Sequence, residues 1–421
     1  MSIQLNEGQL EAFELFKKFV KDPKAHLFFL FGSPGSGKST LLREMAKYVG
    51  EDLIRMTAPT HKAVGVLASG LIQTDVVCQT IHSFLGLRPK MHQGKQMLTR
   101  KNNYDPSANF EIRFVGLDEV SMSGEQLSQY VLEDADEWDR KYILSGDETQ
   151  LNPVDEGPSP MFALAKQTQY SYTLKEPVRQ AAGNPIIQAV HNIRSAINKG
   201  EAPDLRNNTR DGVGVHLMNR EVWTAKLKEF VLTPNHDPDY FRVMAYTNNA
   251  VRGYNQIIRD MLGLPTNRPF SEGEMVTVNQ AFVQGDEAIF NTGVELRVLH
   301  MEAMVHPSYP ELEGWYVDVG MGVDVPVLDH DNCGAAYVTR INAMKEKALK
   351  SGDWRPYYAL SESWCDLRPL HALTVHSSQG STFDNIFGDY RNLYTNRNKA
   401  EADRALNVMV SRARYNAYIL L

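Results

Sequence analysis

The stretch Leu27–Thr40, "LFFLFGSPGSGKST", decides the fold. Apolar residues run from Phe28 to Phe31, a glycine-rich loop follows, and Lys38, Ser39 and Thr40 lead into the apolar pair Leu41 and Leu42. An apolar run, a loop and an amphipathic start read as buried strand, turn and helix. The spacing from Gly32 to Ser39 matches G-x-x-x-x-G-K-[ST], in which backbone N–H groups wrap phosphates, the lysine reaches the β and γ oxygens and the hydroxyl ligates Mg²⁺. Lys38 and Ser39 are expected in those two roles, with Gly35, Ser36, Gly37 and Thr40 completing the cradle. A plain glycine-rich turn needs neither the strand before it nor the helix after it. Kinases, motors, GTPases and transporters share this loop, so it leaves open what the chain does with the energy.

Working outward, the runs "LFFLFG", "LIRMTAPT", "IRFVGLDEV" and "KYILSGDETQ" are short and apolar, and each ends in polar or small residues. Alternating with helical stretches as far as about Arg179, they imply a parallel α/β sheet with ligands at the carboxyl ends of its strands. A second run of this kind begins at "FRVMAYTNNAVRGYNQIIRDML" and resumes at "LRPLHALTVHSSQGSTFDNIFGDY" and "RALNVMVSRARYNAYILL". Between them, from Gly273 to Arg368, period-two alternation in "GVELRVLHMEAMV" and "GWYVDVGMGVDVPVLD" precedes a charged helix, "AAYVTRINAMKEKALKSG". The expected fold class is α/β with two P-loop-type domains. The first covers 1–180 with a hairpin insertion at 88–112, and the second covers 181–272 and 369–421. A β-rich module with a helical projection, 273–368, interrupts the second.

At 421 residues the chain exceeds one typical core, and 43% hydrophobic content makes it globular. It has no apolar run of about 18 residues, and "MSIQLNEGQL" has neither a basic nor an apolar leader region, so a cytoplasmic protein without membrane partners is expected. Cys78, Cys333 and Cys365 lack CxxC spacing, which argues against a disulfide framework or a zinc site. The net charge of −7 argues against a passive nucleic-acid coat and leaves room for a basic channel within an acidic shell.

"FVGLDEVSM" ends an apolar strand with Asp118 and Glu119. Adjacent carboxylates on an extended chain point to opposite sides. One can then hold Mg²⁺ while its neighbour takes a proton from an attacking water. Asp118, with Ser39, is the expected metal ligand and Glu119 the expected general base. An isolated Asp-Glu reads equally well as a solvated strand end; its place downstream of the phosphate loop favours the chemistry. The next strand brings Gln150 to the same sheet edge, where an amide can bond the γ-phosphate or the attacking water and lose that bond after hydrolysis. Arg179 in "LKEPVRQ" and Arg412 in "NVMVSRARYNAYI" can add positive charge to the transition state, although either also fits a surface ion pair. Because Arg412 lies in the second run, the nucleotide would bridge two domains.

Taken together, these segments resemble the superfamily 1 helicases of the subgroup that moves 5′ to 3′ and includes the RecD-like enzymes, and within it the members from T-even bacteriophages. "LNEGQLEAF" looks like the family's Q motif, with Gln9 on the adenine, and "FGSPGSGKST" like motif I. "TAPTHKAV" and "QTIHSFLGL" are similar to motifs Ia and Ib, and "LDEVSM" and "GDETQLNPVD" to II and III. "LKEPVRQ" is similar to motif IV, "AYTNNAVRGYN" to the strand and helix that follow, "TVHSSQGSTFD" to motif V and "MVSRAR" to motif VI. The order is the family's order.

The resemblance implies two RecA-like domains, an SH3-like inserted module, ATP with Mg²⁺ as cofactors, and single-stranded DNA lying across both domains. The implied strand contacts are Thr60, His61 and His82 in the first domain and Thr247, Asn248, His376 and Ser377 in the second. Such side chains bond phosphates while carrying little charge, so a strand is gripped and released each cycle. Gly380, with Thr382, is expected to shape the motif V loop at the nucleotide. Forks and duplex junctions are further implied substrates, single-strand-binding and replisome proteins the implied partners, replication and recombination the implied settings, and a monomer the implied state.

Departures are local. A serine precedes Arg412 where a threonine is frequent in the family, one hydroxyl for another. The segment "RPKMHQGKQMLTRKNNYDPSANF" matches by position and not by residue; Gln93-Gly94 suits a hairpin turn, with Met97 and Leu98 near an apolar tip that could touch DNA. A nucleotide kinase would not need Gln150 and Arg412 in separate domains. A scaffold without turnover would not need Lys38, Glu119 and Arg412. RNA in place of DNA stays open, since nothing in the sequence reads the 2′-hydroxyl.

Overall fold

The computed structural model describes residues 5–33, 35–72, 74–92, 95–101, 104–153, 157–174, 183–234, 237, 239–284, 287–320 and 322–421. The quoted stretch folds as its pattern dictates. Leu27–Gly32 is a strand whose residues from Phe28 onward are all buried, and Lys38–Val49 is a helix with Leu41, Leu42, Met45 and Ala46 buried on one stripe. Strands buried on both faces read as continuous apolar runs, the usual mark of a parallel sheet.

The first sheet has six strands in the order Val77–Thr80, Ile54–Ala58, Phe114–Leu117, Lys141–Gly146, Leu27–Gly32 and Ser171–Leu174. All of its pairings are parallel, with Phe28 opposite Ile143 and Met56 opposite Gly116. Helix Glu7–Lys21 closes one face through Phe16 and Phe19, which join Phe28, Leu30, Leu41 and Met45 in one core. That helix starts on a reciprocal cap: Gln9 N donates to Asn6 Oδ1 and Asn6 N donates to Gln9 Oε1.

The second sheet runs Ala372–Thr374, Phe241–Ala245, Phe383–Asp389, Ala413–Leu420, Val213–Met218 and Asn208–Arg210. Parallel pairs make up its centre, and the last strand folds back antiparallel. At that fold-back a side chain on Gly214 would meet Asn208 O at 2.0 Å, so only glycine fits. Helices Pro185–Lys199 and Lys399–Ser411 bury Ile186, Val190, Ile193, Leu406 and Val410 against the sheet. These two sheets with their flanking helices are the two RecA-like layers that the α/β reading expected.

Contacts divide the chain into two units, one of residues 1–87, 102–252 and 373–421 that holds both sheets, and one of residues 88–101 and 253–372. The second unit is antiparallel. Met275–Val278 pairs with both Glu295–Arg297 and Leu367–Pro369, so the entering and leaving ends of the inserted module lie side by side. Phe282–Gln284 pairs with Glu287–Phe290, and Tyr309–Asp318 lies between His300–His306 and Asp324–Leu328. Val276, Val278, Val317, Val325 and Leu367 form its core.

The charged helix runs over His330–Ser351, capped by Asp329, and so begins earlier than the expected Ala335. Asp329 accepts from Asn332 N, and this local bond sets the start. Leu87–His92 and Lys95–Arg100 form the two-stranded sheet of the expected hairpin, while Gln93 and Gly94 lie outside the described residues. Met97 and Leu98 sit within the second strand rather than at a tip, Met97 exposed and Leu98 half-buried, as the alternation of a strand requires.

Candidate nucleotide site and strand-binding face

The loop after Leu27–Gly32 is built to approach an anion closely. Gly35 and Gly37 have φ of 78° and 88°, in the left-handed region open to glycine, and a side chain on Gly32 would meet Ser36 Oγ at 2.5 Å. Helix Lys38–Val49 begins at Gly37 without a side-chain cap, which leaves its first N–H groups and its positive dipole end open to phosphate. Lys38 Nζ folds back onto Gly32 O at 2.8 Å and Ser33 O at 3.2 Å, two acceptors that phosphate oxygens can replace. Ser36 Oγ is buried without a protein partner. Ser39 is exposed at the first turn and Thr40 half-buried behind it. Gln9 Nε2 donates to Gly37 O at 3.1 Å, so the capping glutamine of the first helix also braces this loop. This cradle fits a nucleoside triphosphate.

Asp118 and Glu119 close the next strand but one. Asp118 N donates to Thr57 O at 2.9 Å, and its carboxylate accepts from Ser145 Oγ. The extended-chain reading of this pair needs correction, because the strand stops at Leu117 and Glu119 turns left-handed, φ 54° and ψ 44°. The two carboxylates are therefore parted by a turn and not by the pleat. A non-glycine residue in this region is strained and persists only where its surroundings hold it. Here that surrounding is Val120–Met122, a single 3₁₀ turn closed by Met122 N to Glu119 O at 3.0 Å.

Glu119 Oε2 is buried and has no protein partner. Burial first, and the neighbouring Asp118 charge second, push its pKa up to about 7; the cations of Arg412 and Lys38 pull the other way. Arg412 is itself 6% exposed, bonded to Val408 O and Ser381 O, with its pKa lowered by burial and raised by Glu119 and Asp147. An acid from the first sheet and a guanidinium from the second thus share one buried electrostatic site. A carboxyl poised near neutrality is suited to accept a proton from water. For Mg²⁺, one carboxylate and a serine hydroxyl completed by phosphate and water make an ordinary donor set, and Asp118 and Ser39 fit it. Among the described residues no cluster of three or more His, Cys, Asp or Glu side chains forms a cage for a metal.

Gln150 stands at the end of Lys141–Gly146, 6% exposed, with Oε1 buried and unpartnered. Arg179 lies outside the described residues. Sequence reasoning missed the residues that hold the Gln150 turn: Asp147 pairs with Arg194, and Asn407 and Gln379 donate to the backbone of Thr149 and Leu151. Asn407 interrupts the apolar run "ALNVMV", a signal that was there to be read.

The expected strand contacts share a topology. Thr60 and His61 follow Ile54–Ala58, and His82 follows Val77–Thr80; Thr247 and Asn248 follow Phe241–Ala245, and His376 and Ser377 follow Ala372–Thr374. In each six-stranded sheet these are the two outermost strands of one side. Thr60 and Thr247 cap the next helices, accepting from Ala63 N and Ala250 N at 3.2 Å each. His61, Asn248 and Ser377 are exposed, whereas His82 and His376 are half-buried. Burial lowers the His82 pKa. His376 lies 3.6 Å from Glu401 and beside the Tyr246 ring. Gly380, φ 72°, comes so close to the first domain that a side chain there would meet Ala63 Cβ at 2.7 Å. The loop at Gly380 therefore packs against the helix that Thr60 caps.

Residues 4–213 match the family model of an AAA domain, and residues 369–420 match that of a UvrD-like helicase C-terminal domain. Over 42% of its length the chain is 38% identical to the ATP-dependent RecD2 DNA helicase of Deinococcus radiodurans, a match that covers 22% of that protein. The chain belongs to the superfamily 1 helicases, of the RecD-like type. An uncharacterised protein of Acanthamoeba polyphaga mimivirus is 23% identical to this helicase over 96% of the chain and 97% of the relative. A Pif1 helicase solved in a study of DNA unwinding at forked double-stranded DNA shares its fold, with a TM-score of 0.53, 16% identity, and coverage of 99% of this chain and 92% of that one. None of the described helices is long and apolar enough to cross a membrane.

Proposed function

We propose that this ATP-dependent DNA helicase translocates 5′ to 3′ on single-stranded DNA and separates duplex at forks, and that it is a helicase of the Dda type found in T-even bacteriophages. The observation that carries the reading is the meeting of Glu119 and Arg412, a carboxyl and a guanidinium from different sheets, at one buried site beside Lys38. A nucleotide between them is sensed by both domains, and its hydrolysis lets them part. The collinear motifs support the polarity, and the RecD2 relative supports DNA as the track.

In this mechanism the glycine cradle and Lys38 bind the phosphates, and Gln9 holds the adenine end. Mg²⁺ would be held by Ser39 and Asp118 and would supply charge neutralisation on the phosphate oxygens. Glu119 takes the proton of the attacking water, Gln150 orients that water, and Arg412, joined by Arg179, meets the charge that develops on the γ-phosphate. Thr60, His61, His82, Thr247, Asn248, His376 and Ser377 hold the strand, with Met97 and Leu98 acting where the duplex opens. Replication and recombination forks in the cytoplasm, single-strand-binding and replisome proteins as partners, and a monomeric motor complete the proposal.

The test is unwinding of forked DNA that carries only a 5′ or only a 3′ single-stranded tail, repeated with RNA tails. Opening of the 5′-tailed DNA alone is the expected outcome. Opening from the 3′ tail reverses the polarity, and opening of RNA alone replaces the track.

A further inference from the structure

The turn Asp147–Leu151 belongs to the first sheet by chain order, but second-domain side chains hold it. Asn407 Nδ2 donates to Thr149 O at 3.1 Å and to Thr149 Oγ1 at 3.3 Å. Gln379 Nε2 donates to Leu151 O at 3.3 Å, and Arg194 pairs with Asp147. The Leu151 side chain is fully buried, in the second domain's core with Ile186 and Leu406. Within the turn, Asp147 Oδ1 also accepts from Thr149 N at 2.9 Å and Thr149 Oγ1 at 2.8 Å, so Thr149 is gripped from both sides. Gln150 lies between the two anchored residues.

Asn407 and Arg412 stand on one helix: Lys399–Ser411 carries the first in its body and ends on the second. Asn407 is 1% exposed, and no other described first-domain polar group is bonded to its Nδ2 than those of Thr149. We propose that Asn407 is a positioning residue for ATP hydrolysis, acting through Thr149 to set Gln150 in register with Arg412. One rigid helix then moves the guanidinium and the water-orienting amide together, so that domain closure assembles both or neither. The inference rests on the reading that places Gln150 and Arg412 at the γ-phosphate.

The test uses the full chain and measures DNA-stimulated ATPase, ADP affinity and melting temperature for Asn407→Ala, Asn407→Ser, Gln150→Ala and the double variant Asn407→Ala/Gln150→Ala. Each single Asn407 variant is expected to lose about tenfold in kcat, the scale of a lost buried hydrogen bond felt in the transition state. KM for ATP and ADP affinity should stay near wild type. The double variant should be no slower than Gln150→Ala, because Asn407 acts through that residue. Should Asn407→Ala fail to fold, Asn407→Ser, too short to reach Thr149 but able to satisfy its own polar group, decides the matter. Wild-type kcat in a folded Asn407 variant, a rise in KM alone, or additive losses in the double variant overturn the inference while the site reading stands. Wild-type kcat in Gln150→Ala overturns the site reading and this inference with it.

Discussion

Glu119, the proposed general base, is buried at a cost in stability. Its folded pKa of about 7 lies above the ordinary carboxyl value of 4.5, so between those pH values the folded chain keeps a proton that the unfolded chain has lost. A group with this sign stabilises the fold in acid and withdraws that support as pH rises through the window. Glu119→Gln has no proton to lose. It is expected to melt above wild type at pH 8, by up to about 3 kcal/mol in stability at the usual conversion of a pKa shift, with the gap closing towards pH 5. Thermal melts of the nucleotide-free chain at both pH values check this, and an equal gap at both would remove the titration argument. The same variant should bind ATP and abolish steady-state hydrolysis, since an amide fills the carboxylate's space without accepting its proton. The pair was legible in "LDEV", but its geometry was not. Periodicity predicts where a strand runs, whereas a left-handed turn at its end follows from contacts that no spacing records.

At the level of elements, the strand Lys141–Gly146 is anchored by a buried ion pair at its foot. Arg140, fully buried, donates from Nη1 to Asp134 Oδ1 at 2.6 Å, from Nη2 to Asn109 O at 2.8 Å and from Nε to Ile112 O at 3.2 Å. Tyr142 OH donates to the other Asp134 oxygen at 2.6 Å, and burial raises its pKa. Helix Glu125–Glu137, the strand and the segment before Phe114 thus meet at one satisfied network. Arg140→Met leaves Asp134 buried without its cation, and a loss of about 3–5 kcal/mol is expected. Adding Asp134→Leu should restore much of it, because an apolar pair removes the stranded charge. Urea melts of the single and double variants decide the point; a single-variant loss under about 1 kcal/mol would refute the structural role. In the sequence, "EWDRKY" reads as a polar turn. The sheet strands were legible because both of their faces are apolar, but this arginine's burial depends on carbonyls about thirty residues away along the chain. Arg194 was hidden in the same way, since it is one of several polar residues on its helix and its partner belongs to another domain, whereas Asn407 stood out within an apolar run and only its partner was hidden.

For the whole molecule, stepping becomes strand separation only if the duplex meets something that the single strand passes. The two sheets, both within residues 1–87, 102–252 and 373–421, carry the proposed grip and the proposed nucleotide site, while Leu87–His92 and Lys95–Arg100 form a hairpin that holds none of the proposed nucleotide-site residues. Its second strand presents Met97, 37% exposed, an apolar side chain proposed to stack on an end base pair. Stacking of bases on protein aromatics is worth roughly 1–3 kcal/mol per base, which bounds what a methionine adds here. Replacing residues 88–101 by a short Gly-Ser turn should leave DNA-stimulated ATPase within about twofold of wild type, because Lys38, Glu119, Gln150 and Arg412 all lie outside the hairpin and a loss that spares kcat spares the transition state. Unwinding of a 5′-tailed fork should fall at least tenfold in the same preparation. Met97→Ser alone should show a smaller loss in the same direction, since it removes the exposed apolar surface and keeps the strand pairing. Loss of ATPase in step with unwinding would make the hairpin part of strand binding, and undiminished unwinding would put the separating wedge elsewhere in the chain.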